Sequence, residues 1–254
     1  YADFDGLNLT WETLEGVVKH NGPLVKKGVR EEDLPRGILD YVSSQDLELS
    51  TYASAEAQVA AIADDIAYNN HDIDDGLRAG LFTIDDLVDV PLVGPVFHEV
   101  RKLYPDLDMS RTIHESVRRL IGAMVQDLLR VTQSRIDAAS PATAADIRAL
   151  NEPVAQFSEN MRANDKALKS FLFENMYRHY KLNRMTSKGR RVVKDLFQLL
   201  LAEPECLPTE WRVQAGKPGS RETAELVCDY IADMTDRLAL DEHRRLFDLQ
   251  SRTS

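Results

Sequence analysis

Cysteine is scarce in this chain: Cys206 and Cys228 are the two in 254 residues. That excludes a disulfide framework and a cysteine-rich zinc site, and it agrees with a reducing, cytoplasmic setting. Long apolar runs are lacking as well. None approaches the roughly 18–20 residues needed to cross a bilayer, and no secretory leader is recognisable at the start. No membrane partner is therefore expected. Excess positive charge is missing too, since 31 Lys and Arg face 42 Asp and Glu for a net charge of -11. A general nucleic-acid coat needs a basic surface, so that class is disfavoured for the chain as a whole. Alternating strand patterns, internal repeats and low-complexity tracts are absent from the pattern. The opening text, Tyr1-Ala2-Asp3-Phe4-Asp5-Gly6, has no initiator Met and reads like the middle of a longer chain.

What is present is helical periodicity almost from end to end, over a composition that is 43% hydrophobic. Thr10 is placed to cap a helix starting at Trp11, and Asn21-Gly22-Pro23 should end it. A long amphipathic pattern covers 54–79 and stops at Gly80. Further helices are predicted over 96–103, 110–137, 143–150, 160–181, 185–202 and 220–248, with an irregular stretch over 24–50 that holds a short helix around Ile38 to Ser43. The fold class predicted is all-α. We expect one region over 1–137 and a second over 138–254, packed on it. Phe171, Phe173, Met176, Phe197 and Leu200 are read as core.

The densest polar text runs from Asp64 to Asp75, inside the 54–79 helix. Asp64, Tyr68 and Asp72 stand at i, i+4 and i+8. At about 100° per residue, each such step drifts by only about 40°, so the three share one side of the helix. Ala57 and Ala61 continue that side towards the N-terminus. Asp64 can offer a hard oxygen to a divalent cation, while Tyr68 and Asp72 can satisfy both hydrogen-bonding valences of a sugar hydroxyl. The same spacing also suits a solvated acidic helix face, and the residue types leave both readings open. His71 beside Asp72 is not read as a metal dyad, because neighbours on a helix point about 100° apart. His98, His114 and His179 lack partner spacing for a metal site.

A second feature reverses the charge of the whole. Between Arg178 and Lys194 there are seven Lys or Arg and no Asp or Glu. Arg184, Lys188 and Arg191 can line one helical side and make an anion site. Triphosphate or a regulatory nucleotide ranks above single-stranded nucleic acid as its partner, and a plain basic surface explains it as well. His243-Arg244-Arg245 ends a helix, where positive charge opposes the helix dipole.

Several blocks in a fixed order resemble the bacterial dGTPase-like triphosphohydrolases of the HD superfamily. They are Gly6-Leu7-Asn8-Leu9-Thr10-Trp11-Glu12 with Val18-Lys19-His20, then Ala63-Asp64-Asp65-Ile66-Ala67-Tyr68. Asn175 to His179, Asn183-Arg184-Met185, Asp195-Leu196-Phe197 and Cys228 to Arg237 follow, with Asp233 where the family usually has Gly. The resemblance implies a multi-helix HD-type fold and hydrolysis of a deoxynucleoside triphosphate, dGTP or another, to deoxynucleoside and inorganic triphosphate. It implies a divalent metal, Mg²⁺ or Mn²⁺, with Asp64 matching the aspartate ligand that follows the family's His-Asp dyad. Tyr68 and Asp72 match residues at the deoxyribose, and Lys19 matches a lysine on the phosphates. A register with Asp65 as ligand is the alternative, and Asp64 is preferred because it alone completes the Asp-x3-Tyr-x3-Asp face. The family's remaining metal ligands and its acid/base residues precede the position of Tyr1, so the chain alone is expected to be inactive. His20 follows the dyad in that order and is not read as a ligand. A homo-oligomer is implied. The competing reading is a non-catalytic nucleotide-binding or regulatory helical protein.

Overall fold

The computed structural model describes residue 2 and residues 6–248, so the reading of the opening text falls largely outside the described residues. Among the described residues all helices and no strands are found, which bears out the all-α class. No helix among them is long and apolar enough to cross a membrane.

The first compact unit is Tyr1–Met176. Helix α1 (Trp11–Lys19) begins on Thr10, whose hydroxyl accepts from the Thr13 N–H as the sequence predicts. A short α2 (Arg36–Val42) interrupts an otherwise irregular stretch. Helix α3 (Ala55–Arg78) starts on Ser54, which accepts from the Ala57 N–H, and Gly80 follows its end at φ +62. Then come α4 (Val93–Leu103), α5 (Met109–Ala139), α6 (Ala144–Arg148) and α7 (Glu159–Leu172). The boundary anticipated after residue 137 lies in the last turn of α5, inside this unit.

Helix α5 packs on α3 and α4, and α3 also packs on α1 and α7. One core cluster joins Ile66, Met124, Leu128, Ala155, Phe157 and Met161. Gln58 ties the segment before α7 to α3. Its buried amide oxygen accepts from the N–H groups of Val154 at 2.8 Å and Ala155 at 3.2 Å, while its NH₂ donates to the Ala53 carbonyl at 2.8 Å. At its far end α3 meets Phe82 at Gly76, where any β-carbon would fall 2.2 Å from the ring.

The helix predicted over 160–181 is shorter than expected. After α7 the chain makes a π-helical turn, Phe173–Tyr177, and a new helix α8 (Tyr180–Ala202) starts on His179. The imidazole Nδ1 of His179 accepts from the Lys181 N–H at 3.3 Å, a side-chain cap that satisfies a donor the helix start leaves free. Phe173, grouped with the core from sequence, is 49% exposed.

The second unit is Tyr177–Ser254. It comprises α8, α9 (Thr209–Arg212), α10 (Arg221–Ala232) and α11 (Asp236–Phe247), with α10 and α11 both packed on α8. The single helix expected over 220–248 is therefore two. Thr235 caps α11 by accepting from the Leu238 N–H at 3.3 Å, and this local bond competes with continuing the helix. Leu200, Leu207 and Val227 form the centre, flanked by Phe197, Trp211 and Tyr230.

Candidate functional site

Helices α1 and α3 approach closely because Gly16 has no side chain; a β-carbon there would sit 3.0 Å from that of Ala57. Beside this contact opens a recess of about 800 Å³, reached also by α6. Its apolar wall is built of small residues, Ala57, Ala60 and Ala61, with Val17 opposite. Its ionisable groups are Glu12, Glu56, Asp64, His20 and Arg148. Acids outnumber cations at this surface.

The four polar candidates on α3 part company. Asp64 is exposed and borders the recess. Asp65 turns the other way and accepts from the Lys169 Nζ of α7 at 3.2 Å. Burial lowers the Lys169 pKa, but Asp165 and Asp65 outweigh it and raise the pKa above its ordinary value. Of the two registers left open by the sequence, the recess receives Asp64. Tyr68 is 58% exposed, whereas Asp72 is buried at 8%, and neither borders the recess. The drift of about 40° per step explains this, since two steps carry the row from the open side of the helix towards its packed side. His71 is exposed while Asp72 is buried, so this adjacent pair does not converge.

Lys19 is 1% exposed and does not border the recess. Its ammonium contacts the Glu15 carboxylate at 3.0 Å, the Thr51 hydroxyl at 2.9 Å and the Glu48 carbonyl at 3.2 Å. Those three bonds use all three of its donors. Glu15, fully buried, takes a second cation from α6: Arg148 donates Nε and one terminal nitrogen to its two oxygens, each at 2.8 Å. These bonds raise the Arg148 pKa above its ordinary value against the opposing effect of burial. The Trp11 ring lies 4.9 Å from the Arg148 guanidinium and 5.9 Å from the Lys19 ammonium. Glu48 and Glu12 also lie near enough to Arg148 to raise its pKa, so the two cations on Glu15 are set among further acids. Sequence reasoning missed Glu15 and Arg148, and their spacing along the chain offers no signal.

His20 borders the recess with its ring already engaged. Its Nδ1 is 2.8 Å from the Val17 carbonyl, and its Nε2 is 2.8 Å from the Asn21 amide nitrogen. The carbonyl requires a proton on Nδ1, which leaves Nε2 to accept from Asn21, so neither nitrogen is open to a metal. Among the described residues no group of three His, Cys, Asp or Glu is placed to hold a metal ion. Asp64 has the donor chemistry for a hard divalent cation, but these residues do not complete a site for one.

In the second unit, Arg184, Lys188 and Arg191 do come together. They line a groove of about 1170 Å³ between α8 and α11.

A profile of the phosphohydrolase-associated domain matches residues 155–245. The chain is 60% identical over 249 residues to a deoxyguanosinetriphosphate triphosphohydrolase-like protein of Parvibaculum lavamentivorans, covering 98% of this chain and 63% of the relative. A protein of the same description from Caulobacter sp. is 52% identical over 249 residues, with the same coverage. Another from Azorhizobium caulinodans is 51% identical over 253 residues, again 98% of this chain and 63% of that protein. The chain thus spans a little under two thirds of the length of these relatives.

Proposed function

The chain belongs to the bacterial deoxyguanosinetriphosphate triphosphohydrolase-like family of the HD superfamily, and from that membership we propose that the whole protein hydrolyses deoxynucleoside triphosphates. The products are the deoxynucleoside and inorganic triphosphate. The observation that carries the reading is the family membership, and the position of Asp64 at the recess, with Asp65 held by Lys169, accords with it.

An acidic recess repels a bare triphosphate, because Glu12, Glu56 and Asp64 all present negative charge there. A divalent ion, Mg²⁺ or Mn²⁺, supplies the missing positive charge when bound, and Asp64 contributes one oxygen towards holding it. The described residues do not supply the other ligands. Tyr68 and Asp72 serve the sugar, the phenol by occupying the space a 2′-hydroxyl would need and the carboxylate by accepting from a hydroxyl. A phosphate contact by Lys19 requires its ammonium to exchange a neutral partner, the Glu48 carbonyl or the Thr51 hydroxyl, for a phosphate oxygen. Without that exchange Lys19 holds α1 and the 48–51 turn in place. We assign the whole protein to a homo-oligomer in the cytoplasm.

The test is to incubate the full-length protein with each deoxynucleoside triphosphate and Mg²⁺ or Mn²⁺, and to identify the phosphorus product. Inorganic triphosphate is expected, with its release abolished by Asp64→Asn. Pyrophosphate or orthophosphate as product, or undiminished turnover by Asp64→Asn, overturns the assignment. Light scattering of the same protein tests the oligomer.

A further inference from the structure

Most arginines of this acidic chain are neutralised close by. Arg118 and Arg119 share Glu115, Arg221 pairs with Glu225, and Arg245 pairs with Glu242. Helix α8 breaks the pattern. It carries Lys181, Arg184, Lys188, Arg190, Arg191 and Lys194 against one acid, Asp195. That acid is engaged by His243, whose Nε2 lies 3.1 Å from its Oδ2. Among the described residues Arg184 and Lys188 form no ion pair and no side-chain hydrogen bond, while Arg191 reaches only Ser187 of its own helix.

These cations line the groove between α8 and α11. Across from them on α11 stand His243 and Arg244, the latter paired with Asp241 at 3.2 Å. Asp195 and Asp248 are the acids of the lining. Tyr180, 60% exposed, and Phe247, 43% exposed, add aromatic surface to it. Arg184 and Lys188 are one helical turn apart, so their like charges repel, a cost the fold leaves unrelieved. From Arg184 to Arg191 the helix rises by about 10 Å, comparable to a short chain of phosphates. A row of unneutralised donors, bordered by aromatic rings, in a concave surface, matches a linear anion better than a point ion.

We propose that this groove binds the linear phosphate chain of a polyphosphate anion, free or as the tail of a nucleoside triphosphate, with Arg184 and Lys188 as its main contacts. The site lies wholly in the second unit and does not depend on Asp64, so it goes beyond the hydrolytic reading. Tyr180 adds a stacking surface that only the nucleotide form can use.

The experiment is calorimetric titration of the full-length Asp64→Asn protein, metal-free and at low salt, with sodium tripolyphosphate, ATP, orthophosphate and a short oligothymidylate. Saturable binding of tripolyphosphate is expected, much tighter than orthophosphate. It should weaken by at least about tenfold in Arg184→Gln/Lys188→Gln, the scale of losing charge-assisted hydrogen bonds. Lys102→Gln, an exposed cation of the first unit, should leave it unchanged. ATP binding more tightly than tripolyphosphate, with that advantage lost in Tyr180→Ala, identifies the nucleotide form; equal affinities identify the free chain. The targeted side chains are exposed, and matching melting curves confirm that the variants fold. Unaltered tripolyphosphate affinity in the double variant overturns the proposal, as does binding confined to the oligonucleotide.

Discussion

Arg148 clasps Glu15 through two hydrogen bonds of 2.8 Å across 133 residues of sequence. The pair fastens α6 to α1, and with them the two walls that flank the Asp64 recess. Because the Glu15 side chain is wholly buried, losing it strands the cations around it, whereas losing Arg148 leaves Lys19 on the carboxylate.

Breaking this pair from one side should be costly. Glu15→Gln, which leaves two cations facing a neutral group, is expected to destabilise the protein by about 3–5 kcal/mol. Arg148→Met, which leaves Lys19 on the carboxylate, should cost about 1–3 kcal/mol. The combined Glu15→Gln/Arg148→Met variant should lose clearly less than the sum of its parts. Urea denaturation of the four proteins measures the coupling, and additive losses would show that the two residues act independently.

Lys19 offers a milder version of the same test, because its removal leaves Arg148 on Glu15. Lys19→Met is expected to cost about 1–3 kcal/mol without any ligand, from the lost buried ion pair with Glu15 and the lost bonds to the Thr51 hydroxyl and the Glu48 carbonyl. Lys26→Met, at an exposed position, should stay within about 0.5 kcal/mol of the parent. Equal denaturation midpoints for the two would sink the structural role assigned to Lys19.

Gly76 has no room for a methyl group, since a β-carbon there lies 2.2 Å from the Phe82 ring. Phe82 is 5% exposed and packs edge-on against Phe171 with ring centroids 5.1 Å apart, so it has little freedom to retreat. Gly76→Ala should therefore destabilise by about 1–3 kcal/mol despite alanine's better helix propensity. Thermal melting decides the sign. A stabilised variant would show that the ring moves freely.

Glu115 predicts a particular pH dependence. Hydrogen bonds from Arg118 and then Arg119 hold its pKa down to about 2, from an ordinary value of 4.5. A depressed folded-state pKa contributes stability above the unfolded value and loses it as pH falls through the folded one. The loss attributable to Glu115 should therefore develop between about pH 4.5 and pH 2. Denaturant midpoints across that window should fall less steeply in Glu115→Gln than in the parent. Salt should shrink the difference, because the site is partly open to solvent. Parallel curves would exclude the contribution.

Helix starts were legible where a side chain announces them. Thr10 and Ser54 cap α1 and α3, and Gly80 marks the end of the long helix. The interruption at Asp233-Met234-Thr235 was not, and the one predicted after residue 181 comes earlier, at Arg178-His179; neither stretch contains Gly or Pro. There, a histidine and a threonine end one helix and begin another through single side-chain bonds. Periodicity carries straight across such a point, since the apolar pattern resumes within a turn.

The chain's residues alone determined what depends on neighbours a few positions apart: helical class, caps, the Asp64-Tyr68-Asp72 row and the basic stretch of α8. They favoured Asp64 over Asp65 only through the Asp-x3-Tyr-x3-Asp row, and it is packing that puts Asp64 at the recess and Asp65 on Lys169, 104 residues away. Packing also took Lys19 into a buried triad and drew Asp72 to the closed side of its helix while Asp64 stayed outside. A helix sets the angles between its own side chains whatever surrounds it. Which of those side chains meets a partner or water depends on segments that arrive from elsewhere in the chain, and no local pattern encodes their arrival.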